Sequence, residues 1–220
     1  MQIKVIINIV KLAIYPLTRQ RTLARTMTRF AILLLAAFSA VAKADDAVYD
    51  GCGTSKGCYG VPANCVDTKD CSLLGTWAQA SDDLWDFELF GSFAGAGGSY
   101  LALGLSDDGK MGDDSAMVCT QAAGVRQYWT RALPKGVMPV EDASNGISNV
   151  GIASLDPDSL YCSFSRDAQT TIVNPYVGSN WEFDLAGEDW FVLLAMGPVS
   201  EEGEPKRHSA RIATEEAIML

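Results

Sequence analysis

Six cysteines, Cys52, Cys58, Cys65, Cys71, Cys119 and Cys162, stand behind an apolar leader, and this pairing constrains the fold more than any other feature of the chain. Residues 30–44, FAILLLAAFSAVAKA, follow Met27-Thr28-Arg29 and end in the small-x-small sequence Ala42-Lys43-Ala44. That is the layout of a secretory signal peptide cleaved after Ala44, and the run is shorter than a membrane span. A second apolar stretch, IKVIINIVKLAIYPL, and a basic patch lie upstream of Met27. Residues 27–44 are sufficient as a signal, so 1–26 are expected to be an upstream extension. The mature chain is expected to be secreted and not to span a membrane.

An even cysteine count in an exported chain reads as disulfides. Four of the six crowd into residues 52–71, with five, six and five residues between them, and no C-x-x-C occurs, so zinc-ribbon spacing is absent. Cys119 and Cys162 fall in separate predicted strands far from that cluster. They are expected to pair with each other, and the first four among themselves, in a connectivity that spacing leaves open. The organisation that follows is a leader over 1–44, a Cys-rich lead-in over 45–72 held by bridges rather than a core, and one domain over 73–220.

Seven basic residues and no acids lie in 1–44, so the formal net charge of −10 becomes −17 once the leader is removed. Such a surface repels phosphate backbones and anionic lipid, which argues against nucleic acid as a partner and favours a cation or a cationic partner.

From Leu73 onward short apolar runs alternate with turn residues. In LWDFELFG (84–91), Trp85, Phe87 and Leu89 alternate with Asp86 and Glu88, a strand pattern. GAGG (95–98) reads as a turn returning into YLALGLS (100–106), and the two as a hairpin. SAMVCTQ (115–121) and VRQYWTR (125–131) read as another, and ISNVGIASL, SLYCSFSRD and WFVLLAMG complete the set. Short strands about 10–20 residues apart, with almost no helical periodicity, indicate an all-β fold, an antiparallel β-sandwich or barrel. The one helical candidate is the C-terminal SARIATEEAIML.

Two sequence features bear on chemistry. His208 is the only histidine, which excludes a histidine-rich metal site. The turn SDDGKMGDDS (106–115) sets one thioether, Met111, among four aspartates. Asp107, Asp108, Asp113 and Asp114 offer a weak calcium site, although the order of an EF-hand loop and its terminal glutamate are missing.

CGTSKGCYGVPANC, YLALGLSDDGKMGDDSAMVC, LYCSFSR and WFVLLAMGP followed by PKRHS together resemble the DOMON domain. More narrowly, they are similar to the extracellular DOMON domain of ferric-chelate-reductase-like proteins, over most of residues 50–210, with 100–119 the most specific stretch. The resemblance implies an immunoglobulin-like antiparallel β-sandwich, a secreted location, and haem b or a sugar as ligand. In the haem-binding branch a methionine in the turn after the LALGLS-type strand and a histidine beyond the LLAMGP-type strand are the axial ligands. Those positions are Met111 and His208, and Lys110, Lys206 and Arg207 beside them suit the propionates. Trp85, Tyr100, Trp129, Trp181 and Trp190 are candidates for the porphyrin walls. Iron held by thioether and imidazole is six-coordinate and exchanges single electrons, so the expected function is electron transfer to an unidentified redox partner rather than stand-alone catalysis. The alternative is a haem-free ligand-binding or adhesion module for a sugar or small aromatic ligand. Fuller family members continue into a transmembrane cytochrome b, a region not found before Leu220, so a free-standing soluble module is expected.

Overall fold

The computed structural model describes residues 46–93, 98–132, 136–155 and 158–220. The leader with its expected cleavage site, and most of the 95–98 turn, lie outside the described residues. The described chain is almost wholly strand. In order it runs β1 Gly57–Val61, the short helix α1 Cys65–Thr68, β2 Leu73–Ser81, β3 Leu84–Ser92, β4 Ser99–Ser106, β5 Ser115–Thr120 and β6 Gly124–Arg131. It continues through β7 Gly136–Pro139, β8 Ile147–Ala153, β9 Ser159–Asp167, β10 Gln169–Val173, β11 Asn180–Asp184, β12 Phe191–Pro198 and β13 Ala210–Ala213.

All pairings between these strands are antiparallel. One sheet has the order β1-β2-β3-β9-β8, the second β13-β12-β4-β5-β6-β7, and β10 pairs with β11 in a separate ribbon. The two larger sheets face each other through alternate side chains, the period-2 consequence of a pleated strand. Trp85, Phe87 and Leu89 of β3 meet Leu101, Leu103 and Leu105 of β4 and Val192, Leu194 and Met196 of β12, all buried. Glycines on the inner face bring the layers close. A Cβ on Gly75 would lie 2.5 Å from Leu194, and one on Gly91 would lie 2.4 Å from Leu101.

Three disulfides close Cys52–Cys58, Cys65–Cys71 and Cys119–Cys162. The grouping expected from sequence holds. The third joins β5 to β9 and so ties the two sheets across the core, where both cysteines are fully buried. Its presence with the other two fits an oxidising, extracellular compartment. Among the described residues no helix is long and apolar enough to cross a membrane.

Three expectations need correction. β3 and β4 do not form a hairpin, because β3 lies between β2 and β9 while β4 lies between β12 and β5 in the opposite sheet. The apolar alternation of both strands is equally consistent with facing layers, which is what the chain builds. The C-terminal segment is not helical. Residues Ala210–Ala213 add a strand to β12, with Leu193 opposite Ala213 and Met196 opposite Ala210. The lead-in is more than a stapled tail, since β1 pairs along its whole length with β2. Val48, Tyr49, Cys65 and Cys71 also build a second small core with Leu74 and Phe90.

One charged side chain sits in the main core. Arg166 of β9 is fully buried, with Nη1 3.3 Å from Met117 Sδ and the guanidinium 5.3 Å from the Phe183 ring centre. Its Nε and Nη2 find no hydrogen-bond partner among the described residues, and neither do the indole nitrogens of Trp85 and Trp129. Loss of hydration pushes the Arg166 pKa down to about 10.

Candidate functional site

The β4–β5 connection carries Met111. Leu105 pairs with Ser115, so residues 106–114 form the end of this hairpin. The loop is tightly curled. Gly109 (φ 70°), Gly112 (φ 146°) and Asp113 (φ 62°) all take left-handed backbone on either side of Met111. A Cβ on Gly112 would lie 2.9 Å or less from the Ala132 backbone, so this position is reserved for glycine. Ser106 faces away from the core, by alternation with buried Leu105, and its hydroxyl donates toward Asp108 Oδ1 (3.2 Å) and the Lys110 carbonyl (3.3 Å). These contacts fold the loop over the outer face of the six-stranded sheet. Gly109 comes against the Phe191 ring at the start of β12. Met111 is half-buried and Lys110 is exposed.

The β12–β13 connection, residues 199–209, carries His208. It doubles back, with Val199 bridging Pro205 and the Ser200 amide donating to the Glu204 carbonyl at 2.8 Å. Two tyrosines hold this arm against the outer face. Tyr100 of β4 donates to the Lys206 carbonyl at 3.2 Å, and Tyr128 of β6 donates to Glu204 Oε2 at 3.0 Å. Burial pushes both phenols up to about 12, with Glu204 adding to the effect at Tyr128. Both therefore remain donors at any physiological pH. The Cα of His208 packs 2.8 Å from where a Gly197 Cβ would be, so Gly197 makes room for the returning chain.

Met111 and His208 thus lie on one outer face. Between them the surface is built from small residues, Ala102, Gly104, Ala116 and Ala195, with Tyr100, Val118 and Tyr128 gathered beside them. The two residues stand at opposite ends of it. Phe191 pairs with Ser106 at the loop end and Gly197 with Tyr100 at the arm end, six residues along β12, or about 20 Å of extended chain. The segments that carry Met111 and His208 therefore leave the sheet at opposite ends. Tyr100, Val118 and Tyr128 are buried, and the arm is bonded to the two tyrosines. Lys110 sits at the loop end, and Lys206 and Arg207 at the arm end.

The aromatic residues expected as walls distribute differently. Trp85, Trp129 and Trp190 fill the space between the sheets. Trp181 of β11 is 39% exposed and meets Trp129 edge-on at 5.1 Å. Only Tyr100 of the five is on the outer face with Met111 and His208. Phe191 and Tyr128 are the aromatic neighbours that sequence reasoning missed. Their signal was the alternation itself, since each sits one residue out of phase with a core position.

Asp114 has the most displaced carboxylate at this end. It is 1% exposed, and its Oδ2 accepts from the Gly112 amide (2.7 Å) and the Thr130 hydroxyl (2.9 Å). Burial outweighs these bonds and raises its pKa to about 6. The folded state therefore holds this proton more tightly than the unfolded chain. The unfavourable contribution is complete above about pH 6 and is relieved as pH falls toward 4. The stability of the wild type relative to Asp114→Asn is expected to improve on acidification from pH 7 to pH 5, read from denaturant melts in chelator-treated buffer. A difference that is flat across that range contradicts the raised pKa.

A second concavity, of about 440 Å³, lies on the outer face of the five-stranded sheet. Its polar groups satisfy one another. Glu88 accepts from Thr76 (3.1 Å) and Tyr161 (2.6 Å) and pairs with Lys56, and Asp86 accepts from Ser165 (2.6 Å). Gly53-Thr54-Ser55-Lys56-Gly57 has the spelling of a serine nucleophile elbow. It is a turn inside the Cys52–Cys58 bridge, with no helix after it, and does not place a serine at the end of a strand.

Fold and site together define a class: a disulfide-stapled antiparallel β-sandwich whose outer face is framed by a methionine loop and a histidine arm. Residues 69–197 match the DOMON domain, and the chain belongs to that family. It is 33% identical over 184 residues to a putative ferric-chelate reductase 1 homolog of Drosophila melanogaster, covering 82% of this chain and 27% of the relative. It is 39% identical over 173 residues to a putative ferric-chelate reductase 1 of Danio rerio, covering 77% and 28%. Against ferric-chelate reductase 1 of Homo sapiens the identity is 27% over 158 residues, covering 72% and 24%. The chain spans about a quarter of the length of these relatives.

Proposed function

We propose that this domain is an extracellular electron-transfer module that binds haem b on the outer face of the six-stranded sheet. Met111 and His208 would hold its iron, and Lys110, Lys206 and Arg207 would offer cationic partners to its propionates. The observation that carries the reading is the small-residue surface of Ala102, Gly104, Ala116 and Ala195, bounded at one end by the loop bearing Met111 and at the other by the arm bearing the chain's only histidine. Bound there, haem would supply one-electron exchange, with thioether and imidazole both occupied and no open site for oxygen. The chain's part is to exclude water with Phe191, Leu193 and Tyr128 and to set the charge around the iron. The redox partner is a one-electron donor or acceptor whose contact surface is cationic, to match the acidic mature chain.

An absorption spectrum of the secreted full chain, before and after haem reconstitution, tests this. A low-spin spectrum is expected, lost or converted to high spin in His208→Ala. Met111→Ala is expected to keep haem and to bind carbon monoxide, which the wild type does not. A protein that stays colourless after reconstitution overturns the reading in favour of a haem-free small-ligand module, for which the polar 440 Å³ concavity around Glu88 is the candidate.

A further inference from the structure

We propose that the Met111 loop is a calcium site formed by the carboxylates of Asp107, Asp108 and Asp114 together with the Lys110 carbonyl. Carboxylate oxygens of the three aspartates lie within 4.8 Å of one another, the spacing of ligands around a single cation. Clustering alone is common on acidic surfaces. The second observation concerns Asp114. Its Oδ1 is buried from solvent and has no hydrogen-bond partner among the described residues, in a side chain that is 1% exposed. A buried, ionised oxygen without a donor is unfavourable by desolvation, and a bound cation offsets that cost.

The neighbourhood is short of protons. Ser106 has one hydroxyl proton, and Asp108 Oδ1 at 3.2 Å, the Lys110 carbonyl at 3.3 Å and the Asp114 carboxylate all compete for it. Asp108 Oδ1 takes the Lys110 amide at 2.8 Å, and Asp114 Oδ2 takes the Gly112 amide and the Thr130 hydroxyl. Among the described residues the one cationic side chain paired to the cluster is Lys110, with Nζ 3.9 Å from Asp108 Oδ2 and 83% of its side chain exposed. An ammonium so exposed neutralises little. Three carboxylates and a carbonyl, all oxygen, on a curled loop open to water on one side suit calcium. Magnesium demands a tighter octahedron and keeps more of its own water. Asp113, the fourth aspartate of the turn, is exposed in left-handed backbone and is not in the cluster. With water completing the shell, the expected affinity is that of an extracellular module, a dissociation constant on the order of 10⁻⁴–10⁻³ M. The inference does not depend on haem.

The test uses the secreted full chain, stripped with a chelator and titrated with calcium by calorimetry and thermal melting. One saturable site and a calcium-dependent rise in melting temperature are expected, with a much smaller response to magnesium at equal concentration. Asp107→Asn removes an exposed ligand that packs against nothing, so it should fold normally and weaken calcium binding about tenfold or more. Lys110→Ala removes the competing ammonium and should tighten binding. Asp82→Asn, an exposed acid in a different turn, should leave it unchanged. The proposal is overturned if the wild type shows no saturable binding up to 10 mM calcium, or if Asp107→Asn binds as the wild type does. An equal loss in Asp82→Asn also overturns it, because that marks general attraction to an acidic surface.

Discussion

Replacing Cys119 and Cys162 together by alanine is expected to lower the stability of the fold by about 4 kcal/mol, the loop-entropy value for a bridge across 43 residues. This bridge is the one disulfide that joins the two larger sheets. Removing Cys52–Cys58, which spans six residues, is expected to cost less, roughly 2 kcal/mol. Urea unfolding of both variants checks the pair. Equal losses mean that strain or unfolded-state structure, and not loop length, sets the contribution of the bridges.

Arg166→Met is expected to raise stability, on the order of 2 kcal/mol, which is unusual for a change at a fully buried position. The guanidinium contacts a sulfur and an aromatic ring and makes no ion pair among the described residues, with Asp167 the carboxylate that acts on it through charge alone. Losing those two weak contacts and the distant attraction of Asp167 is outweighed by removing a desolvated charge from the core, and methionine roughly fills the space. Thermal melting of variant and wild type at pH 7 decides the sign. A clear drop in melting temperature means that the guanidinium has an anionic partner in solution, beside Trp85 and Met117.

Much of the sandwich was legible because burial on one side of a strand writes period-2 alternation into the sequence. β3 and β9 fell where apolar and polar residues alternate, β5, β6 and β12 fell on short apolar or mixed runs between turn residues, and Cys119 and Cys162 sorted themselves from the N-terminal four by distance in sequence. Which strands pair was not legible for β3 and β4. Two alternating runs joined by a glycine-rich link read as a hairpin, yet the same residues serve equally as facing layers. The C-terminal strand was missed because Ala, Arg, Ile and Glu are adequate helix formers, and edge pairing to β12 overrides that weak preference. For the site, Met111 and His208 could be picked out by residue type and resemblance, but the distance between them could not. That depends on the β4–β12 register, which runs the two strands in opposite directions and sends their connecting segments to opposite ends. The role of Asp114 was equally hidden, since burial separates it from three neighbours of the same type.

The sheet borders described above bear on life in a crowded extracellular medium. The second sheet is bounded by β13 and β7, each four residues long, and β7 ends in Pro139, which has no amide hydrogen to offer. In the first sheet β8 is broken by a register shift between Ser148 and Gly151, and β1 is capped at both ends by disulfide-bonded turns. No border presents a long, flat row of free backbone groups on which another chain could template itself. A protein with this much strand and little helix carries an inherent hazard of open-ended polymerisation, and here the margins of the fold are built to prevent it.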